Sequence, residues 1–272
     1  MNRTNKLAAA VASYWGKDLK QDKSWYSMKG ADDNGNAEIK IYDVIGWPFI
    51  DAETFLNDLS RMQADTIKVK INSPGGDVFD GTAIYNALAD HPAKIITSVE
   101  GIAASMASII ALAGNERVIY KNAQFMIHNA WTIAWGDYND LEKSAELVKS
   151  ISGQMAETYA DKTGKSQKEI QQLMDETTWF TGEESVDFGF MTKAVTAGST
   201  SARFDLSMFE NAPQASDPTK RDIERVLTQD AGLSRSQARL LLQGGFESLT
   251  KQDAGDDAAV NAVNNLINNL KV

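Results

Sequence analysis

The alternation of apolar and polar positions is clearest at Thr66-Ile-Lys-Val-Lys-Ile71, which predicts a half-buried strand ending in a β-branched residue. Ser73-Pro74-Gly75-Gly76 then stops the strand. Pro74 fixes its own φ, and two glycines let the backbone turn sharply, leaving the Gly76 amide free to face a ligand. Asp77 is placed to cap a following helix whose apolar positions Phe79, Ala83, Ile84 and Leu88 share one face. The pattern then recurs. Lys94 to Val99 reads as a second strand, Gly101 as its break, and residues 102–113 as a small-residue helix with Ser105 in its first turn. A third strand, Gln124 to Asn129, carries His128. Strand, glycine turn and helix in repetition describe right-handed βαβ units, so the turns open on one edge of a parallel sheet and bring the Gly76 amide near Ser105.

Around this centre, Glu38 to Ile45 reads as a further strand, followed by Gly46-Trp47-Pro48 and a helix capped by Asp51 with apolar Phe55, Leu56 and Leu59. Residues 137–161 form the longest helical pattern, with Leu141, Ala145, Val148, Ile151, Met155 and Tyr159 on one stripe and charges opposite. A helix of about 20 residues is about 30 Å long, too long to lie wholly against a small sheet. Ser166 to Glu169 is a capping box for the next helix.

Residues 1–36 read as an N-terminal arm, with Gly30 to Asn36 marking a boundary, and 37–197 as the main domain. A linker at 198–218 and a helical C-terminal extension at 219–272 complete the expected organisation.

Composition narrows the chemistry. The 272 residues are 43% hydrophobic, enough for a sizeable core. There are no cysteines, which removes disulfides and thiolate chemistry, and the net charge of −10 argues against nucleic acid as the principal partner. No apolar run reaches membrane-spanning length, and no secretory leader or membrane partner is expected. Thr163-Gly-Lys-Ser166 looks like the end of a phosphate-binding loop, but position 159, where the earlier glycine belongs, is Tyr.

A serine among alanines in an apolar helix is ordinarily a packing residue. Ser105 gains interest from its place at a helix start, where free amides stabilise an anion, and from His128, one of only two histidines. His91, in Asp90-His91-Pro92, reads as an exposed turn residue. Trp131 and Trp135 lie close behind His128 and read first as core residues, second as walls of a substrate groove.

Four stretches together, Ile71-Asn-Ser-Pro-Gly-Gly76, Gly101-Ile-Ala-Ala-Ser-Met106, Phe125-Met-Ile-His128 and Trp179 to Gly189, resemble the proteolytic subunit of the Clp protease over residues 38 to 195. The variant is most similar to Clp-like proteases of phage and prophage head-assembly modules. The resemblance implies a ClpP/crotonase-like α/β fold of repeated ββα units. It implies Ser105 as nucleophile, His128 as general base, and the Gly76 and Met106 amides as oxyanion hole; Gly75 and Trp131 are the residues expected at the substrate. It also makes the long helix a contact between stacked rings.

The chain departs from the family at the third triad position, where Thr177 replaces aspartate. Asp175 is the preferred substitute, with Glu176 or a Ser-His dyad as alternatives. The leading expectation is a serine endopeptidase of phage head maturation, a homo-oligomeric ring cutting capsid or scaffold proteins in the bacterial cytoplasm or the prohead, without cofactor or metal. The alternatives are a housekeeping peptidase fed by an AAA+ unfoldase, an acyl-CoA enzyme of the crotonase type, and a catalytically dead shell protein.

Overall fold

Three strands share one buried face. β2 (Asn36–Tyr42), β3 (Thr66–Ser73) and β4 (Lys94–Ala104) run parallel, with Ile39 opposite Val69, Ile41 opposite Ile71, and Ile71 opposite Val99. All of these side chains are fully buried. Burying each one contributes about 1.5–3 kcal/mol, which fixes the register, since a one-residue slip would turn them all to the other face. The computed structural model describes residues 3–15, 24–46, 48–49, 52–196 and 209–213. Asp51 and the expected linker and extension, apart from 209–213, lie outside the described residues.

Among the described residues the sheet has eight strands, ordered β1-β2-β3-β4-β5-β8, with β6 pairing β4 and β7 pairing β6. The added strands are β1 (Tyr26–Lys29), β5 (Glu116–Tyr120), β6 (Gln124–Ile127), β7 (Thr178–Thr181) and β8 (Lys193–Val195). The β2–β3, β3–β4, β4–β5, β4–β6 and β5–β8 pairs are parallel, which is the expected α/β architecture. Helices α2 (Ala52–Ser60) and α3 (Val78–Ala89) add Phe55, Leu59, Ile84 and Leu88 to the core. No described helix is long and apolar enough to cross a membrane.

Three differences from the sequence reading have physical causes. The first concerns the arm. β1 pairs antiparallel with β2, Tyr26 opposite Ile41, and Trp25 is buried with its ring stacked on Phe55 at 5.6 Å. The polar run before residue 36 is therefore the turn of a hairpin, in which Asp32 accepts from the Asn34 and Asn36 amides. The compact unit runs from Met1 to Ala212, so no break falls at residue 36.

The second is that Gly101 does not end its strand. A Cβ there would sit 2.5 Å from Asn72 Oδ1, and that oxygen accepts from the Ile102 amide. The glycine makes room for a buried asparagine, and β4 bends onward through Ala104. The expected helix from 102 is consequently shorter, α4 (Met106–Ala111).

The long helix α5 (Tyr138–Thr163) forms where the pattern put it, capped by Asp137 and ended by Gly164 in the left-handed region. Its buried residues start only at Ser152, while Leu141 and Leu147 are exposed. Its first half therefore stands off the core. The third difference is Phe79, expected on the buried face of α3 but 66% exposed, because Gly81 and Ile84 fill that face.

Trp25→Ala is expected to cost about 3–5 kcal/mol of folding free energy, as loss of a buried aromatic does. Urea unfolding measures this; a cost under about 1 kcal/mol would show residues 24–29 to be a dispensable arm.

Candidate active site

Ser105 sits between β4 and α4 with φ 53 and ψ −128, a conformation that costs a non-glycine residue on the order of 1–3 kcal/mol. Its neighbours hold it there. The Ser105 amide donates to the Met126 carbonyl at 3.0 Å, and its own carbonyl accepts from the Ser108 amide at 2.9 Å and from the Ser108 hydroxyl. Ser108 Oγ in turn lies 2.6 Å from the buried Tyr159 hydroxyl of α5. Serine at a helix N-cap normally bonds its side chain back to the helix, yet here it makes no such bond. Its Oγ lies 2.7 Å from His128 Nε2.

That meeting follows from strand register. β4 and β6 pair in parallel with Ala104 opposite Met126, so the next residue of one strand and the residue two further on the other leave the sheet side by side. Sequence placed His128 within the strand; it lies just past β6. His91, expected in a fully exposed turn, is half-buried, with its Nδ1 accepting from the Ala93 amide.

The glycine loop lies against the serine. A Cβ on Gly75 would be 2.8 Å from Ser105 Cβ, and Gly75 also has φ +105, so no other residue fits without strain. The substrate-binding part expected for Gly75 is not available to its main chain. Its N–H donates to Ser73 Oγ and its carbonyl accepts from the Ile45 amide. Gly76 is different. Ile45 bonds to Gly75 and Asp77, on either side of it, and among the described residues the Gly76 N–H meets no recorded acceptor. Met106 opens α4, so its N–H has no partner within the helix.

The third partner is where expectation and structure part. Asp175 does not reach His128. It ends α6 (Gln167–Asp175) on the exposed surface, where hydrogen bonds from Asn129 and then Gln171 hold its carboxyl below the usual range. Glu176 is exposed as well. β6 and β7 pair antiparallel, with Ile127 opposite Thr178 at the end of the ladder, and His128 and Thr177 are the residues next beyond it on the two strands. Thr177 is buried with φ 50, unusual for a β-branched residue. Among the described residues, no hydrogen bond joins its hydroxyl to His128.

Burial alone pushes the His128 ring down to about 4, so it stands neutral at pH 7. In the tautomer protonated at Nδ1, its Nε2 accepts from Ser105. A hydroxyl bonded to a neutral imidazole can give up its proton to the ring as it attacks a carbonyl.

Beside Ser105 opens a cavity of about 180 Å³ whose walls include Gly76, Val78, Trp131, Ile133, Leu147 and Met155. Trp131 is thus at the site rather than in the core, whereas Trp135 is 44% exposed. Three contributors were missed by sequence reasoning. Val11 and Trp15, from the arm, also line the cavity, and Phe209 meets the His128 ring edge-on at 5.7 Å. Clustered aromatics in segments lacking strand or helix signals were the available hint. Among the described residues, no group of three acidic or histidine side chains could hold a metal ion.

Residues 52–198 match the family model described as Clp protease. Curated relatives include the ATP-dependent Clp protease proteolytic subunit 2 of Tropheryma whipplei (strain Twist), 33% identical over 129 residues, 47% of this chain and 72% of the relative. Proteolytic subunit 1 of Leifsonia xyli subsp. xyli (strain CTCB07) is 34% identical over 127 residues, covering 46% of this chain and 64% of the relative. Proteolytic subunit 1 of Corynebacterium jeikeium (strain K411) is 33% identical over 137 residues, 50% and 73% of the two lengths.

The buried ring makes a prediction with a definite sign. Above about pH 6.5 the imidazole is neutral in the folded and the unfolded chain alike. As the pH falls toward 4 the unfolded chain takes up the proton first, so stability is lost across that window. Relative to His128→Gln, the native chain is expected to lose roughly 2 kcal/mol between pH 7.5 and 4.5 in urea titrations. Parallel pH profiles for the two proteins would mean that the ring is solvated.

Proposed function

The chain belongs to the Clp protease family and is a serine-type endopeptidase, and from this premise we propose that Ser105 is its nucleophile and His128 its general base, working as a dyad. The observation that carries this reading is the 2.7 Å contact between Ser105 Oγ and His128 Nε2. As Oγ attacks the peptide carbonyl, its proton passes to Nε2, and the Gly76 and Met106 amides receive the developing oxyanion. The imidazolium then returns the proton to the departing amine. Water, activated by the same ring, releases the acyl group from Ser105. The apolar cavity at Ser105 suits a large apolar side chain on the acyl side of the cut bond.

In this reading the dyad is slow, because a desolvated ring without a carboxylate is a weak base. Proton transfer is most effective when the base titrates near the working pH. In this reading position 177 is where a carboxylate would support the His128 ring, and its positive φ suits Asp or Asn better than a β-branched residue.

The exposed half of α5, with Tyr138, Leu141 and Leu147, supports a homo-oligomeric ring in which this helix meets another subunit. As for biological role, we favour head maturation in a phage or prophage, with capsid or scaffold proteins as substrates and the 219–272 extension engaging them. The setting is then the bacterial cytoplasm or the prohead. Support comes from residues 199–272, which lie past the family match, and from Thr177. A second reading, a peptidase fed by an AAA+ unfoldase, is favoured by the relatives, which are subunits of ATP-dependent proteases. Degradation of a folded substrate only when ATP and an unfoldase are supplied would select it.

Labelling with a fluorophosphonate tests the site itself: the chain is expected to be labelled, and Ser105→Ala not. Persistent labelling of that variant would place the nucleophile elsewhere. Thr177→Asp is expected to raise kcat/KM on a short peptide at least about tenfold, whereas Asp175→Asn should stay within about twofold. A large loss in Asp175→Asn with no gain in Thr177→Asp would restore Asp175 as the third member.

A further inference from the structure

The site is covered by the chain's own flanking segments. Helix α1 (Arg3–Tyr14) leads into Trp15, which is 7% exposed, and Phe209 is 5% exposed. These two rings belong to a second apolar cluster, apart from the main core, built on Val44, Ile102, Ala104 and Met126. Ala104 and Met126 are the register pair that delivers Ser105 and His128, so the cluster adjoins the reacting groups.

The contacts are specific. Phe209 is set edge-on to His128 at 5.7 Å, to Trp179 at 5.9 Å and to Trp15 at 6.2 Å. Tyr14 lies 4.2 Å from Trp131. Main-chain and amide bonds secure the same segment: Trp179 Nε1 donates to the Glu210 carbonyl at 3.1 Å, and Asn211 Nδ2 to the Glu176 carbonyl at 2.7 Å.

A peptide lying across Ser105 with its departing nitrogen toward His128 needs space at the ring that Phe209 fills. Its side chain must enter a cavity of which Val11 and Trp15 form part of the wall. Both segments lie outside the residues that match the family model and outside the sheet strands, so they can leave without unmaking the sheet. The same cover accounts for part of the burial that keeps the ring neutral.

We propose that α1 with Trp15 and the Phe209–Ala212 segment form an intramolecular cover that keeps the peptidase latent, and that displacing them opens the site to peptide. This rests on Ser105 and His128 being the reacting pair. The full chain is to be compared with Phe209→Ala, Trp15→Ala and their combination, with Phe209→Leu as the conservative change. Asn211→Ala loosens the segment without touching the aromatic cluster. The readouts are the second-order rate of fluorophosphonate labelling and its pH profile.

Labelling is expected to quicken about tenfold in each single alanine variant and further in the double variant. Phe209→Leu should stay near the native rate and Asn211→Ala fall between. The acid midpoint of labelling should move from about 4 toward the ordinary histidine value as water reaches the ring. A native rate equal to that of the double variant would overturn the cover alone, as would slower labelling in every variant with the midpoint unmoved. No labelling of any protein, the native chain included, would overturn the cover and the reacting pair together.

Discussion

The parallel pairing of β4 with β6 is the constraint on which the rest depends. It joins two segments that are apart in the chain, sets Ala104 opposite Met126, and continues into the Ser105 amide bond to the Met126 carbonyl. Serine and histidine then leave the sheet together. Backbone hydrogen bonds, whose geometry tolerates little displacement, thus position a side-chain pair that no local interaction could hold. The strained backbone of Ser105 persists because the bonds around it, out to Tyr159 on α5, over-determine its conformation.

Burial serves packing and hinders chemistry in the same place. Ala103, Ala104 and Ala107 are fully buried around Ser105, and small side chains there allow the glycine loop to approach. The same desolvation depresses the His128 ring. A carboxylate at 177 would oppose that effect by stabilising the charged ring. With threonine there, the hydrogen bond His128 makes is the one with Ser105, and Phe209 packs against the ring edge-on.

Much of the site could be read from residues whose roles are local. Asp77 caps α3 through the Phe79 and Asp80 amides, and the Gly75-Gly76 turn follows β3 where the pattern put it. Position 128 stood out because histidine is scarce. The errors share a cause. Asp175 and Thr177 are two residues apart, and chemistry favoured the acid; only the folded chain shows that Asp175 is held by Asn129 and Gln171 at the end of α6. β1 was hidden because four residues with little apolar alternation become a strand only when β2 supplies the partner and Phe55 the surface for Trp25. Gly101 looked like a breaker because its need, room for Asn72, arises on another strand.

By itself the sequence determined the elements that local chemistry dictates: alternating strands, capped helices, the glycine turn, and a serine and a histidine at the ends of apolar runs. The tertiary structure alone decided that Asp175 turns to Asn129 and Gln171, which surfaces of α3 and α5 stay exposed, and that Trp15 and Phe209 pack beside the site. Those outcomes depend on pairing register and on contacts between distant segments. Such contacts are set by the free energy of the whole packed core, in which no single stretch of chain carries the information.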